Sequence, residues 1–359
     1  MSEDKKRDRK SDKIKRRFGR FWSTSAILVI ICCLVWKIVF WNCRSLDDQL
    51  AAIEAARAIP ESENAGIAYI KLAGEYLPLP EYPSVADKQV LILTREEPWS
   101  SKEYPQLAAW LDERQDLISK LLEISRMEKC RLPIPSNRQK MSHFTNPVRQ
   151  MHGWVALLIR SANLDAGEGR IDAAIEKYTC ILQMGSHLRQ QPIPTYYNNG
   201  VANESRTLQS LERLITHTEL TDKQLTAIET ELLTPRNKWK HDSRILFKVQ
   251  KLFEQKERSP PRITDFRRYW KYWKAMSKSV DDLLDTTHKY HLRTLADRRR
   301  MYILIALKRY KNKTGHWPRS LDQIKPLLPK ETLIDPRDNT SFVHELMGED
   351  FRLGSRGAK

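Results

Sequence analysis

From Leu46 to about Lys313 apolar residues recur at three- and four-residue intervals, the spacing of one helical face, and proline-containing breaks cut the pattern into pieces. The pieces predict helices over 46–59, 64–76, 105–129, 147–165, 171–188, 196–217 and 222–233, with Leu77-Pro-Leu-Pro-Glu-Tyr-Pro83 as a linker. Within 105–129, residues Leu107, Trp110, Leu111, Leu117, Ile118, Leu121 and Leu122 make an amphipathic stripe that ends at Leu132-Pro-Ile-Pro135. Thr221-Asp222 supplies an N-cap for the helix that follows it. The helical pattern continues over 236–313 with a break near Ser259-Pro260-Pro261. Past Met301 it gives way to a helix end, a proline-containing loop and two short strands.

One stretch is apolar on every side. Residues 21–41 supply about the 20 residues that a helix needs to cross a hydrocarbon core. Phe21, Trp22, Phe40 and Trp41 form aromatic belts at its ends, and Lys37 lies close enough to the outer end to snorkel. Ten Lys/Arg precede this stretch and only Arg44 follows it directly, so the N-terminus is expected in the cytoplasm and the body outside it. A cleaved signal peptide has the same basic-then-apolar order, but no small-x-small site follows the run, which favours an uncleaved anchor in a bacterial inner membrane.

The expected fold class is therefore mainly α: an N-terminal transmembrane helix, an irregular helical-hairpin body, and a small C-terminal α+β module with a β-hairpin. In segments, 1–20 is a basic cytoplasmic tail, 21–41 the transmembrane helix, 46–235 an extracytoplasmic helical domain, 236–300 a basic helical segment and 301–359 the C-terminal module.

Charge sharpens this division. The chain carries a net +17, and residues 236–313 hold 23 basic and 8 acidic residues, so most of the positive charge outside the tail sits in one segment. Within it Phe266, Tyr269, Trp270, Trp273, Met276 and Val280 recur at helical spacing, predicting a face that packs inward. Arg267, Arg268, Lys271 and Lys274 lie mostly off that stripe and form a candidate surface for an anionic envelope polymer, a lipid face or an envelope protein. Outside the cytoplasm nucleic acid is not an expected partner. Five cysteines are too few and too irregular for a disulfide framework, and only Cys130 and Cys180 fall in the body, either bridged or as buried free thiols.

Catalytic signals are weak. Asp281, Asp285 and His288, with His291 one turn on, share a helix face in an order that can hold a divalent ion, the basis for an alternative reading as a metal-assisted envelope hydrolase. His143, His152 and His187 stand in no metal-binding frame, and no nucleophile elbow, P-loop or dinucleotide fingerprint is present. No cofactor is expected, and a non-enzymatic interaction or scaffold role is the favoured class.

Two resemblances follow from particular residues. Ala162, Gly169, Ala174, Tyr178, Ile181 and Leu182 resemble one tetratricopeptide-type hairpin, with small residues where helices touch, a glycine in the turn and an aromatic in the groove. Ala306, Leu307, Tyr310, Gly315, Trp317, Pro318 and Leu321, then Asp335-Pro336, Phe342, Gly348, Phe351, Leu353, Ser355 and Gly357, resemble the C-terminal half of the major pseudopilin of type II secretion. That resemblance implies a helix that stops at a proline loop and a hairpin that packs back on it. The prepilin processing pattern is missing, and two residues follow Gly357 where that family continues into a calcium-binding loop, so no metal ligands are expected to carry over. The stretches "ENAGIAYIKLA" and "MEKCRLP" also resemble bacterial membrane-anchored proteins of uncharacterised activity, which implies an architecture alone.

Overall fold

The computed structural model describes residues 45–76, 83, 88–135, 141–233, 239–257, 266–348 and 350–355. The expected membrane span, linker residues 77–82 and the break at 259–261 lie outside them. Among the described residues no helix is long and apolar enough to cross a membrane. The chain divides into two compact units, Met1–Ala56 and Arg57–Lys359.

The described part of the first unit is helix α1 (Leu46–Ala56). Ser45 Oγ accepts the Asp48 N–H at 3.0 Å, and Asp48 Oδ2 accepts the Ser45 N–H at 3.1 Å, a reciprocal cap that starts the helix there.

The second unit is mainly helical. Its elements are α2 (Ala65–Glu75), α3 (Lys88–Glu96), α4 (Pro105–Asp112), α5 (Gln115–Ser125), α6 (Met141–Gly167), α7 (Ile171–Arg189), α8 (Pro194–His217), α9 (Asp222–Leu233), α10 (Trp239–Glu257), α11 (Phe266–Thr314), β1 (Phe342–Met347) and β2 (Asp350–Ser355). The stripe over 105–129 is carried by two helices, because the chain turns at Glu113-Arg114 before α5 resumes the same apolar face. Helix α3 has no counterpart among the expected elements. Its Val90-Leu-Ile-Leu93 run is too short to show a period, and Ile92 and Leu93 stay 39% exposed.

Asn64 ties two distant stretches together. Its Oδ1 caps α2 by accepting the Gly66 N–H at 3.0 Å and also accepts the Arg131 N–H at 2.7 Å, while its Nδ2 donates to Arg131 O at 3.1 Å. A Cβ on Gly66 would collide with the Arg131 carbonyl, so only glycine lets the two backbones meet. Thus the start of α2 and the stretch at 129–131 pair with each other.

Helices α6 and α7 form the expected hairpin. Gly169 takes φ +76° in the turn, and Ala162, Ala174, Tyr178, Ile181 and Leu182 are all buried between helices. Tyr178 Oη donates to Asn163 Oδ1, and Lys177 pairs with the buried Asp165, so these four side chains are paired across the hairpin. Helix α8 then crosses α7 at two glycines. A Cβ on Gly185 would lie 3.0 Å from Gly200 O, and one on Gly200 would meet Gly185 O more closely still and stand 2.8 Å from Arg189 Cγ. Gly200→Ala is expected to cost about 1–3 kcal/mol through overpacking. Gly185→Ala should cost less. Chemical denaturation of both variants checks this order.

Helix α11 runs unbroken for 49 residues, about 73 Å, and lies against α8, α9 and α10. Gly315 ends it with φ +84°, its N–H bonding Lys311 O at 2.7 Å, and Pro318 follows. Short 3₁₀ turns lead to an antiparallel hairpin in which Phe342 faces Ser355 and Met347 faces Asp350. Phe342 and Leu353 are buried with Trp317, Ile324, Ile303, Ala306 and Leu307, and Phe351 packs on Trp317 at 4.6 Å. The hairpin therefore packs back on α11, as its alternating apolar residues predict.

Candidate functional site

The residues singled out from the sequence are not gathered in one place. On α11 Arg267, Arg268, Lys271 and Lys274 are exposed. Met276 and Val280 are buried as an inward stripe requires, but Trp270, placed in the same stripe, is 64% exposed. The side chains of Phe266, Tyr269 and Trp273 lie outside the described residues. Trp270 points outward because a period of three and four residues drifts around a helix, so one end of a long stripe leaves the packed face.

Asp281 and Asp285 are exposed, and His288 turns away from them to stack on Trp239 of α10, with centroids 4.8 Å apart and rings 9° from parallel. His291 also stacks on the same indole, with centroids 5.3 Å apart. Among the described residues no group of three His, Cys, Asp or Glu is arranged to hold a metal ion. His187 Nε2 donates to Met127 O at 2.6 Å and its Nδ1 receives the Tyr69 hydroxyl at 3.0 Å, which makes it a satisfied buried residue. His152 is half-buried, and the side chain of His143 is outside the described residues. Cys130 and Cys180 are buried free thiols, each pushed up to about 12 by burial.

What the helices do bring together is a polar core. Glu204 of α8, fully buried, accepts Arg189 Nη1 of α7 at 2.7 Å and pairs with Arg298 of α11. Arg298 Nη1 also donates to Leu232 O of α9 at 2.9 Å. Next to this triad the Tyr197 hydroxyl lies 2.9 Å from His291 Nδ1, and Arg189 Nη2 lies 3.3 Å from it. A guanidinium can only donate, so Nδ1 is the acceptor and the ring proton sits on Nε2. Burial, and then the neighbouring Arg189 and His288, pull the His291 imidazole down to about 4, so it is neutral at pH 7.

Beside this core a groove runs between α8 and α11. Its wider cavity, about 390 Å³, is lined by Asn198, Val201, Ala202, Ser205 and Arg206 from α8 and Tyr290, Arg293 and Thr294 from α11. Arg293 also lines the adjoining cavity of about 250 Å³, which the C-terminal hairpin closes through Phe342, Leu353 and Gly354. Glu212 and Asp297 border that second space. Burial holds both carboxyls above the usual range, against the pull of Arg300 on Glu212 and of the Ser205 hydroxyl, 3.0 Å away, on Asp297.

The arginines of this region differ in one respect. Arg298, Arg300, Arg309 and Arg337 each hold a carboxylate. Among the described residues Arg206 and Arg293 hold none. Asn198 Oδ1 is buried and without a hydrogen-bond partner. Cationic donors beside an apolar wall are the chemistry of binding. Neither Arg206 nor Arg293 stands in any local motif, so only the packing of α8 on α11 puts them at one cavity. No protein-family model, curated protein or solved structure matches the chain.

Proposed function

We propose that this chain is a non-enzymatic, membrane-tethered interaction protein of the bacterial envelope, anchored once through residues 21–41 with its body outside the cytoplasm, and that the N-terminal part of α11 holds an acidic partner. The carrying observation is Trp270, 64% exposed among the exposed cations Arg267, Arg268, Lys271 and Lys274. An indole left in water costs apolar burial, about 25 cal/mol per Å² of apolar surface, and that cost is recovered when a partner covers the ring. Cations around it steer an anionic surface to the same place. In this reading α6 and α7 are a single tetratricopeptide-type unit that stiffens the body. The likeness of the C-terminal segment to pseudopilins rests on its helix, loop and hairpin, and adds co-purification with pseudopilins as an expectation.

The test is in-cell crosslinking and pull-down of the intact chain from native membranes, beside a form with Arg267, Arg268, Lys271 and Lys274 each replaced by Glu. One dominant partner is expected, released by salt and at least about tenfold depleted in the reversed form. Equal recovery by both forms, or no specific partner from either, overturns the reading.

A further inference from the structure

The α8–α11 cavity is separate from the exposed cations of the previous section, and it has its own chemistry. We propose that it is a binding site for a small organic anion: a carboxylate or phosphate group held by Arg206 and Arg293, and an apolar portion on Val201, Ala202 and Tyr290.

Each part of the site lacks something that such a ligand supplies. Two guanidiniums at one cavity repel each other, and among the described residues Arg298, Arg300 and Arg309 of α11 hold carboxylates whereas Arg206 and Arg293 hold none. Asp297, one helical turn from Arg293, lines the adjoining cavity, where its carboxyl receives the Ser205 hydroxyl and acts on Arg293, Arg300 and Arg337 together, so one acid faces several guanidiniums. Arginine also presents the planar fork that matches a carboxylate or phosphate in two parallel hydrogen bonds.

Val201 is buried and Tyr290 stays 47% exposed, so a ligand stem would lie on an apolar floor and be covered by a ring that is now in water. A volume of about 390 Å³ falls at the lower end of the range for small-molecule sites. The cavity therefore fits a compact acid rather than a peptide or a lipid chain.

Calorimetric titration of the purified full-length chain in detergent tests this with four probes. N-acetylphenylalanine carries a carboxylate, an N–H and a ring; phenyl phosphate carries the phosphate and ring without the donor. N-acetylphenylalanine amide is the neutral control, and inorganic phosphate lacks a stem. Saturable binding is expected for at least one of the two aromatic anions, with the neutral amide and inorganic phosphate about tenfold weaker or more. Which aromatic anion binds tells a carboxylate ligand from a phosphate one. Arg206→Gln and Arg293→Gln should each weaken that anion about tenfold. Arg206 and Arg293 are exposed, so both variants should keep the parent melting temperature, and the Glu replacements at Arg267, Arg268, Lys271 and Lys274 should leave the titration unchanged. The proposal is overturned if neither aromatic anion saturates below about 10 mM, if the neutral amide binds as well as its acid, or if both Gln variants bind like the parent.

Discussion

Glu204→Ala is expected to lower the stability of the body by about 3–5 kcal/mol, seen as a lower denaturation midpoint of the full-length chain. The carboxylate is fully buried, and it is the anion that Arg189 and Arg298 hold from two other helices. Removing it leaves two guanidiniums, 4% and 9% exposed at their side chains, facing each other in a medium that screens them poorly. An ordinary domain is stable by only about 5–15 kcal/mol, so this one change uses a large part of the margin. The companion experiment separates the worth of the triad from the damage of breaking it. Replacing Arg189, Glu204 and Arg298 together by Met, Leu and Met removes the triad's three buried charges while roughly keeping volume, and is expected to restore most of the loss. If the triple variant is as unstable as Glu204→Ala, the triad has a packing role that the charge argument misses.

Acidification is expected to weaken the same core through His291. Its folded value of about 4 lies below the 6.5 of an unperturbed imidazole, so between those pH values the unfolded chain binds a proton that the folded chain does not. The stability tied to the neutral ring is whole above pH 6.5 and is lost as the pH falls toward 4, in all on the order of 2–3 kcal/mol after allowance for partial exposure. Below pH 4 both states are protonated and this contribution stops changing. Glu212 and Asp297 act in the opposite sense, since their raised values let the folded chain take up protons earlier. The comparison is therefore of denaturation midpoints for the parent and His291→Gln from pH 7 to 4. The glutamine still accepts the Tyr197 hydroxyl, and the variant should lose the part of the slope that His291 supplies. Parallel profiles would show that the imidazole is not held neutral.

The residues of the triad carry no signal in the linear sequence. Arg189 ends one helix of the hairpin, Glu204 sits mid-way along the next, and Arg298 lies in a run of three arginines that reads as a solvated face. His291 had a signal of another kind. Its spacing from Asp281, Asp285 and His288 suggested a metal face, but a shared helix face does not decide which neighbour claims each ring, and the Trp239 indole claims both histidines. Trp270 shows the same limit from the other side. A stripe read from spacing includes it, and the fold leaves it in water.

By itself the sequence determined the features that depend on a few consecutive residues. These are the helical character of the body, the turn at Gly169, the helix stop at Gly315 and Pro318, and the hairpin that alternates Phe342, Phe351 and Leu353 onto its packed side. Backbone sterics and period settle these within one or two turns of chain. The tertiary structure alone decided which polar groups meet: the Arg189, Glu204 and Arg298 triad, and the cavity shared by Arg206 and Arg293. Those meetings depend on how closely α7, α8 and α11 approach and on the angle at which they cross. The crossing of α7 and α8 is set where Gly185 and Gly200 let two backbones touch, and such a contact between helices cannot be read from either helix alone.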